Sequence, residues 1–130
     1  YNDEVKEVIH NSKAKEMLKY SIENNILVMV NGDVHRRIGK TTELLKMANN
    51  LCCSLVVSNS TSEDYCYQLI ENKIKEDCDI IKGSSVLNVG GFTCRNKMFL
   101  VDEFVPKEVI DELIKKGNKL LGGFINYNKF

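Results

Sequence analysis

Ile26-Leu27-Val28-Met29-Val30-Asn31-Gly32-Asp33-Val34-His35-Arg36-Arg37-Ile38-Gly39-Lys40-Thr41-Thr42-Glu43-Leu44-Leu45 is an apolar run, then a polar stretch closing on Gly-Lys-Thr, then the first turn of an amphipathic segment. The run over residues 26 to 31 reads as a strand, long enough for the centre of a parallel sheet with both faces covered. From Lys40 to about Leu51, the residues Leu44, Leu45, Met47, Ala48 and Leu51 share one face, so a helix opens where the polar stretch ends. The helix would point the positive end of its dipole back at that stretch.

Strand, glycine, lysine and hydroxyl in this order are the parts that hold a polyphosphate. The strand aims the loop, Gly39 lets backbone N–H groups approach phosphate oxygens, Lys40 follows the β/γ charge, and the Thr41 hydroxyl can hold Mg²⁺. The pattern G-x-x-x-x-G-K-[ST] is incomplete, because Val34 stands where its first glycine belongs and Gly32 comes two residues too early. A second motif strengthens it. In Met98-Phe99-Leu100-Val101-Asp102-Glu103, four apolar residues run into two adjacent acids, as a buried strand ends at an active site.

The remaining chain repeats an alternation of strand and helix. Residues 3 to 24 place Val5, Val8, Ile9, Met17, Leu18 and Ile22 at helical spacing, and Asn24-Asn25 ends that helix. Ser54 to Ser58 is a second strand, and residues 59 to 64 supply turn and N-cap residues for a helix from about Glu63 to Lys75. Residues 80 to 97 read as one or two short strands with an exposed loop. After the strand over 98 to 102, Pro106 suits the first turn of a helix over about 106 to 116, Gly117 its end, and 119 to 126 a last strand. This order predicts a three-layer α/β/α sandwich around a mostly parallel sheet. Ligands of such sheets sit beyond the carboxyl ends of the strands, where both motifs fall.

Bulk properties set limits. At 130 residues, 43% of them hydrophobic, a single domain over residues 1 to 130 is expected. Lysine plus arginine and aspartate plus glutamate are 18 each, so no net field draws the chain to nucleic acid or an anionic membrane, and any contact with nucleic acid must be local. No apolar run reaches membrane-spanning length, and residues 1 to 24 are too charged for the core of a signal peptide. The five cysteines show neither C-x-x-C nor Cys/His ligand spacing, which fits a reducing cytoplasm; Cys52, Cys53, Cys66 and Cys78 are expected as small core or half-buried residues.

Individual roles follow from chemistry, each beside a plainer alternative. Lys40 would contact the β/γ phosphates, or be an ordinary first-turn lysine; Thr41 would bind Mg²⁺ with Asp102, and Thr42 would touch an α-phosphate or only extend the helix. Glu103 would act as general base on the attacking water, and the two acids can reach one site only where the strand ends, since neighbours on a strand point oppositely. The alternative is an acidic strand end running into a solvated turn. Arg37 or Arg36 would line the γ-phosphate, or keep the loop soluble, and Ile38 belongs to the same cradle. Asn126, ending the last strand, would hydrogen-bond the γ-phosphate or the lytic water, although an ordinary strand-end asparagine is the plainer reading. Arg95, His35 and His10 are expected to be solvated.

With Arg36-Arg37-Ile38-Gly39-Lys40-Thr41-Thr42 and Phe99-Leu100-Val101-Asp102-Glu103 both in view, the chain resembles P-loop NTPases of the additional-strand catalytic-glutamate division. The Arg-Arg-x-Gly-Lys-Thr wording is similar to the ATPase domain of phage DNA-packaging terminases and small phage-encoded relatives. The resemblance implies ATP and Mg²⁺, a Walker lysine at Lys40 and an acid pair at Asp102 and Glu103. It also makes the valine at 34 less of a departure, since those motors often lack the first glycine. It does not extend to packaging: terminase ATPase domains are larger and are followed by a nuclease, whose clustered acids have no counterpart here. The expectation is therefore a minimal Mg²⁺-dependent ATPase, with nucleic acid, a partner protein or further copies of itself as candidate partners. Two rivals stand beside it: a nucleotide-binding regulatory module without turnover, and a small-molecule or nucleotide kinase.

Overall fold

A computed structural model describes residues 14–30, 39–74, 79–87 and 97–126. Five strands, β1 (Leu27–Val30), β2 (Ser54–Val57), β3 (Ile80–Lys82), β4 (Met98–Val101) and β5 (Lys119–Asn126), form one sheet in the order β1-β5-β4-β2-β3. Every pairing is parallel. Between them run the helices α1 (Ala14–Asn24), α2 (Lys40–Asn50), α3 (Ser60–Leu69), the single turn α4 (Gly83–Val86) and α5 (Lys107–Lys115). The chain is thus α/β with a five-stranded parallel sheet, an arrangement compatible with three layers.

Alternation along the strands divides the apolar residues between two cores. Val28, Val30, Leu55, Val57, Leu100 and Phe124 meet Met17 and Leu18 of α1, Leu44, Leu45 and Ala48 of α2, and Cys66 and Leu69 of α3. Val56, Ile81, Phe99 and Val101 instead meet Val86 of α4 and Val109, Ile110 and Leu113 of α5. The period-two pleat makes this division possible. Each fully buried Val, Leu, Ile or Phe contributes roughly 1.5–3 kcal/mol relative to leaving it in water.

Helix ends follow local chemistry. Asn25, at φ 53°, takes the left-handed conformation that ends α1, and Gly117, at φ 90°, follows α5 in the same way. Asn59 caps α3 with its Oδ1, which accepts from the Ser62 N–H at 3.1 Å. The helix consequently begins at Ser60 rather than near Glu63, and after Leu69 it widens into a π-type turn over Ile70–Ile74. Pro106 is the N-cap of α5, one residue before its first turn.

Two expectations change. Among the described residues β1 is an edge strand, not a central one: it pairs with β5 alone. A continuous apolar run reports that both faces are covered and says nothing of how many neighbours a strand has; Leu27 and Met29 are in fact only partly buried. Cys52, expected in or near the core, is exposed, because at φ 53° it turns the chain out of α2; Cys53 and Cys66 are buried as expected. Cys78 lies outside the described residues, as does residue 13 and everything before it.

β5 departs from regularity at one point that matters for the site. Phe99 faces Leu120 and Leu100 faces Gly122, so Leu121 is an extra residue, a bulge. A side chain at Gly122 would meet the Ser21 Oγ of α1 at 2.6 Å, and Gly123 combines φ 139° with close backbone approach of Val101. Ser21 is fully buried there; its Oγ donates to the Ile26 carbonyl and accepts from the Gly123 N–H at 2.8 Å. This contact joins the end of α1, the start of β1 and the bulge of β5. In the same β1–β5 pairing Asn126 lies opposite Val30.

Candidate functional site

The carboxyl ends of β4 and β5 and the amino end of α2 converge. Gly39, the N-cap of α2, has φ 83° and ψ 28°, a left-handed conformation, and a Cβ placed there would meet no described atom within 4 Å. Glycine is favoured there by the backbone angle, not by crowding. Helix geometry leaves the first N–H groups of α2 without partners inside the helix, and the dipole favours negative charge in front of them.

β4 ends at Val101, and the two acids that follow are pinned to different neighbours. The Asp102 N–H donates to the Val56 carbonyl of β2 at 3.0 Å, whereas the Glu103 carbonyl accepts from the Asn126 N–H of β5 at 2.8 Å. A turn follows at once, closed by the Val105 N–H on the Asp102 carbonyl at 3.3 Å. Leaving the strand at this point frees both acids from the alternation that would have sent them to opposite faces.

Their side chains meet α2. Lys40 Nζ lies 3.3 Å from Glu103 Oε1, with side chains only 8% and 11% exposed. Thr41 Oγ1 donates to Asp102 Oδ2 at 3.3 Å, across 61 positions of sequence. Asp102 Oδ1 accepts from the Glu103 N–H at 2.7 Å, and Asn126 Nδ2 donates to Glu103 Oε2 at 3.3 Å. Asp102 and Asn126 are themselves 9% and 6% exposed.

Burial pushes the Asp102 carboxyl up from 3.8 to about 6. The hydrogen bond from the Glu103 N–H works against that rise, the Glu103 charge adds to it, and the Thr41 hydroxyl and the Lys40 charge oppose it. A carboxylate held at such a cost in a polar cluster is characteristic of functional sites. Thr41 and Asp102 present hard oxygen donors 3.3 Å apart, a set that suits Mg²⁺, which takes one or two protein oxygens beside phosphates and water. Among the described residues no three His, Cys, Asp or Glu side chains cluster as an all-protein metal centre.

The structure therefore brings together Lys40, Thr41, Asp102, Glu103 and Asn126 at one place. Thr42 follows, half-buried, in the same helical turn. Arg36, Arg37 and Ile38 lie outside the described residues, as do Val34, His10, His35 and Arg95. Asn126, the last residue of β5, is buried and bonded to Glu103 through both backbone and side chain. The Lys40–Glu103 pairing and the role of Ser21 had no sequence signal of their own; the Gly122-Gly123 pair was the one trace of the bulge. Comparison with family models, curated proteins and solved structures gives no match. No described helix is long and apolar enough to cross a membrane.

Proposed function

We propose that this chain binds ATP with Mg²⁺ and hydrolyses it, as a minimal ATPase with a P-loop type of fold. The observation that carries this reading is the buried meeting of Lys40 and Thr41, at the amino end of α2, with Glu103 and Asp102, at the end of β4. The position of β5 between β1 and β4 supports it, since that is where an additional strand separates the loop-bearing strand from the acid-bearing one. The phage-type, terminase-like part of the proposal rests on the Arg36 to Thr42 wording alone.

In this reading Lys40 binds the β- and γ-phosphate oxygens and Thr41 and Asp102 hold the metal. Mg²⁺, when bound, supplies neutralising charge to the phosphates and the leaving oxygen. Glu103 takes a proton from water as the water oxygen bonds to the γ-phosphorus; the β–γ bridging bond breaks and ADP leaves with its electron pair. Asn126 is a positioning residue, holding the second oxygen of Glu103. A nucleotide-binding module without turnover is the second reading, and the engagement of Glu103 by Lys40 favours it.

Phosphate release from ATP and Mg²⁺, with and without DNA, decides between them. Turnover that falls by about a hundredfold or more in Glu103→Gln supports the ATPase. Tight ATP binding without turnover under any condition supports the module, and phosphate appearing on an added nucleotide or small acceptor supports a kinase.

A further inference from the structure

We propose that Lys40 and Glu103 form a latch that polyphosphate must open, so that the site neutralises itself when no nucleotide is bound. This rests on the nucleotide reading and adds a regulation to it. Both Glu103 carboxylate oxygens are engaged, Oε1 by Lys40 at 3.3 Å and Oε2 by Asn126 at 3.3 Å. Thr41 and Asp102 make a second direct contact between the same two elements, at 3.3 Å. The amino end of α2 is thus fastened to the end of β4 by the very groups that phosphate and metal require.

The chemistry makes the two uses exclusive. Lysine carries one charge on a flexible stem, and a nitrogen drawn onto phosphate oxygens moves off a carboxylate that repels those oxygens. Lys40 Nζ occupies Oε1, so one displacement of Nζ both binds the phosphates and opens Oε1 to water. Nucleotide must then compete with Glu103 for Lys40. Removing the carboxylate charge while keeping the shape, in Glu103→Gln, should tighten binding by about tenfold or more, the size expected for losing a charge-assisted contact to a competitor.

The test measures ADP binding by calorimetry at pH 8 without metal, on wild type, Glu103→Gln and Asp102→Asn. Asp102→Asn removes a like charge beside the same phosphates without touching the Lys40 contact, and so reports simple repulsion. Urea unfolding of the nucleotide-free Lys40→Met, Glu103→Gln and double variants reads the pair itself. The latch predicts tightening in Glu103→Gln well beyond that in Asp102→Asn, and a double variant no less stable than the weaker single one. Equal tightening in the two acid variants, or none, or additive destabilisation, overturns the latch and leaves nucleotide binding standing. Failure of every form, wild type included, to bind ADP or ATP even with Mg²⁺ overturns the nucleotide reading, and displacement of Lys40 falls with it.

Discussion

Asp102→Asn should make the nucleotide-free protein more stable at neutral pH while removing the metal ligand proposed above. The carboxyl titrates at about 6 in the folded chain against 3.8 as its ordinary value, a gap of about two pH units. At ~1.4 kcal/mol per unit, an ionised Asp102 costs the fold roughly 3 kcal/mol above pH 7. The sign follows from proton binding. Between pH 4 and 6 the folded state holds more protons than the unfolded one, so this residue makes stability fall as pH rises through that window. Its cost is complete above 6 and absent below 3.8. Asparagine carries no charge, keeps one oxygen to accept from the Glu103 N–H, and turns its amide N–H toward Thr41 Oγ1, which can accept as well as donate. Urea unfolding at pH 7.5 should show a stabilisation approaching 3 kcal/mol, a midpoint shift of ~1–2 M for a chain of this size. The gain should shrink to about 1 kcal/mol at pH 4.5, where most unfolded Asp102 is ionised but folded Asp102 is protonated. Neutral or negative change at pH 7.5, or a gain independent of pH, would refute the argument that buried charge is being held here against stability.

Other perturbations probe the frame around the site. Gly123→Ala should cost at least ~3 kcal/mol in urea unfolding, because it forces an L residue to φ 139° and drives a Cβ into the Val101 backbone. Asn59→Ala should lose ~1 kcal/mol with its cap on the Ser62 N–H, while Asn59→Asp keeps most of that stability. Asn126→Ala should lower kcat by up to about a hundredfold with nucleotide affinity little changed, as expected for loosening a base and not a binding contact; a parallel loss of affinity in titration would place it in the binding set.

Much of this arrangement is legible before any coordinates. The spans of α2, β2, β4 and β5 are read within a residue or so, because apolar spacing and the glycines and asparagines that bound them act locally. Lys40, Thr41, Asp102 and Glu103 are also readable as a set, since each motif couples a strand or helix end to chemically able side chains. What stays hidden is non-local. The edge position of β1 depends on where β5 inserts, a pairing of Leu27 with Gly123 across most of the chain, and the bulge and Ser21 that accompany it have no periodic signature. The start of α3 at Ser60 turns on which of Asn59, Ser60, Thr61 and Ser62 becomes the cap, and all of them are able to. The pairing of Lys40 with Glu103 emerges only from distance: sequence assigns each a ligand or a water, and folding gives them each other.

Whether Lys40 and Asp102 share a nucleotide pocket is decided by a crystal structure grown with a non-hydrolysable ATP analogue and Mg²⁺. The expected result is the triphosphate at the amino end of α2, Lys40 Nζ on β- and γ-phosphate oxygens and off Glu103, and the metal between Thr41 and Asp102. A saturated crystal with the analogue bound elsewhere, and Lys40 still on Glu103, would contradict it.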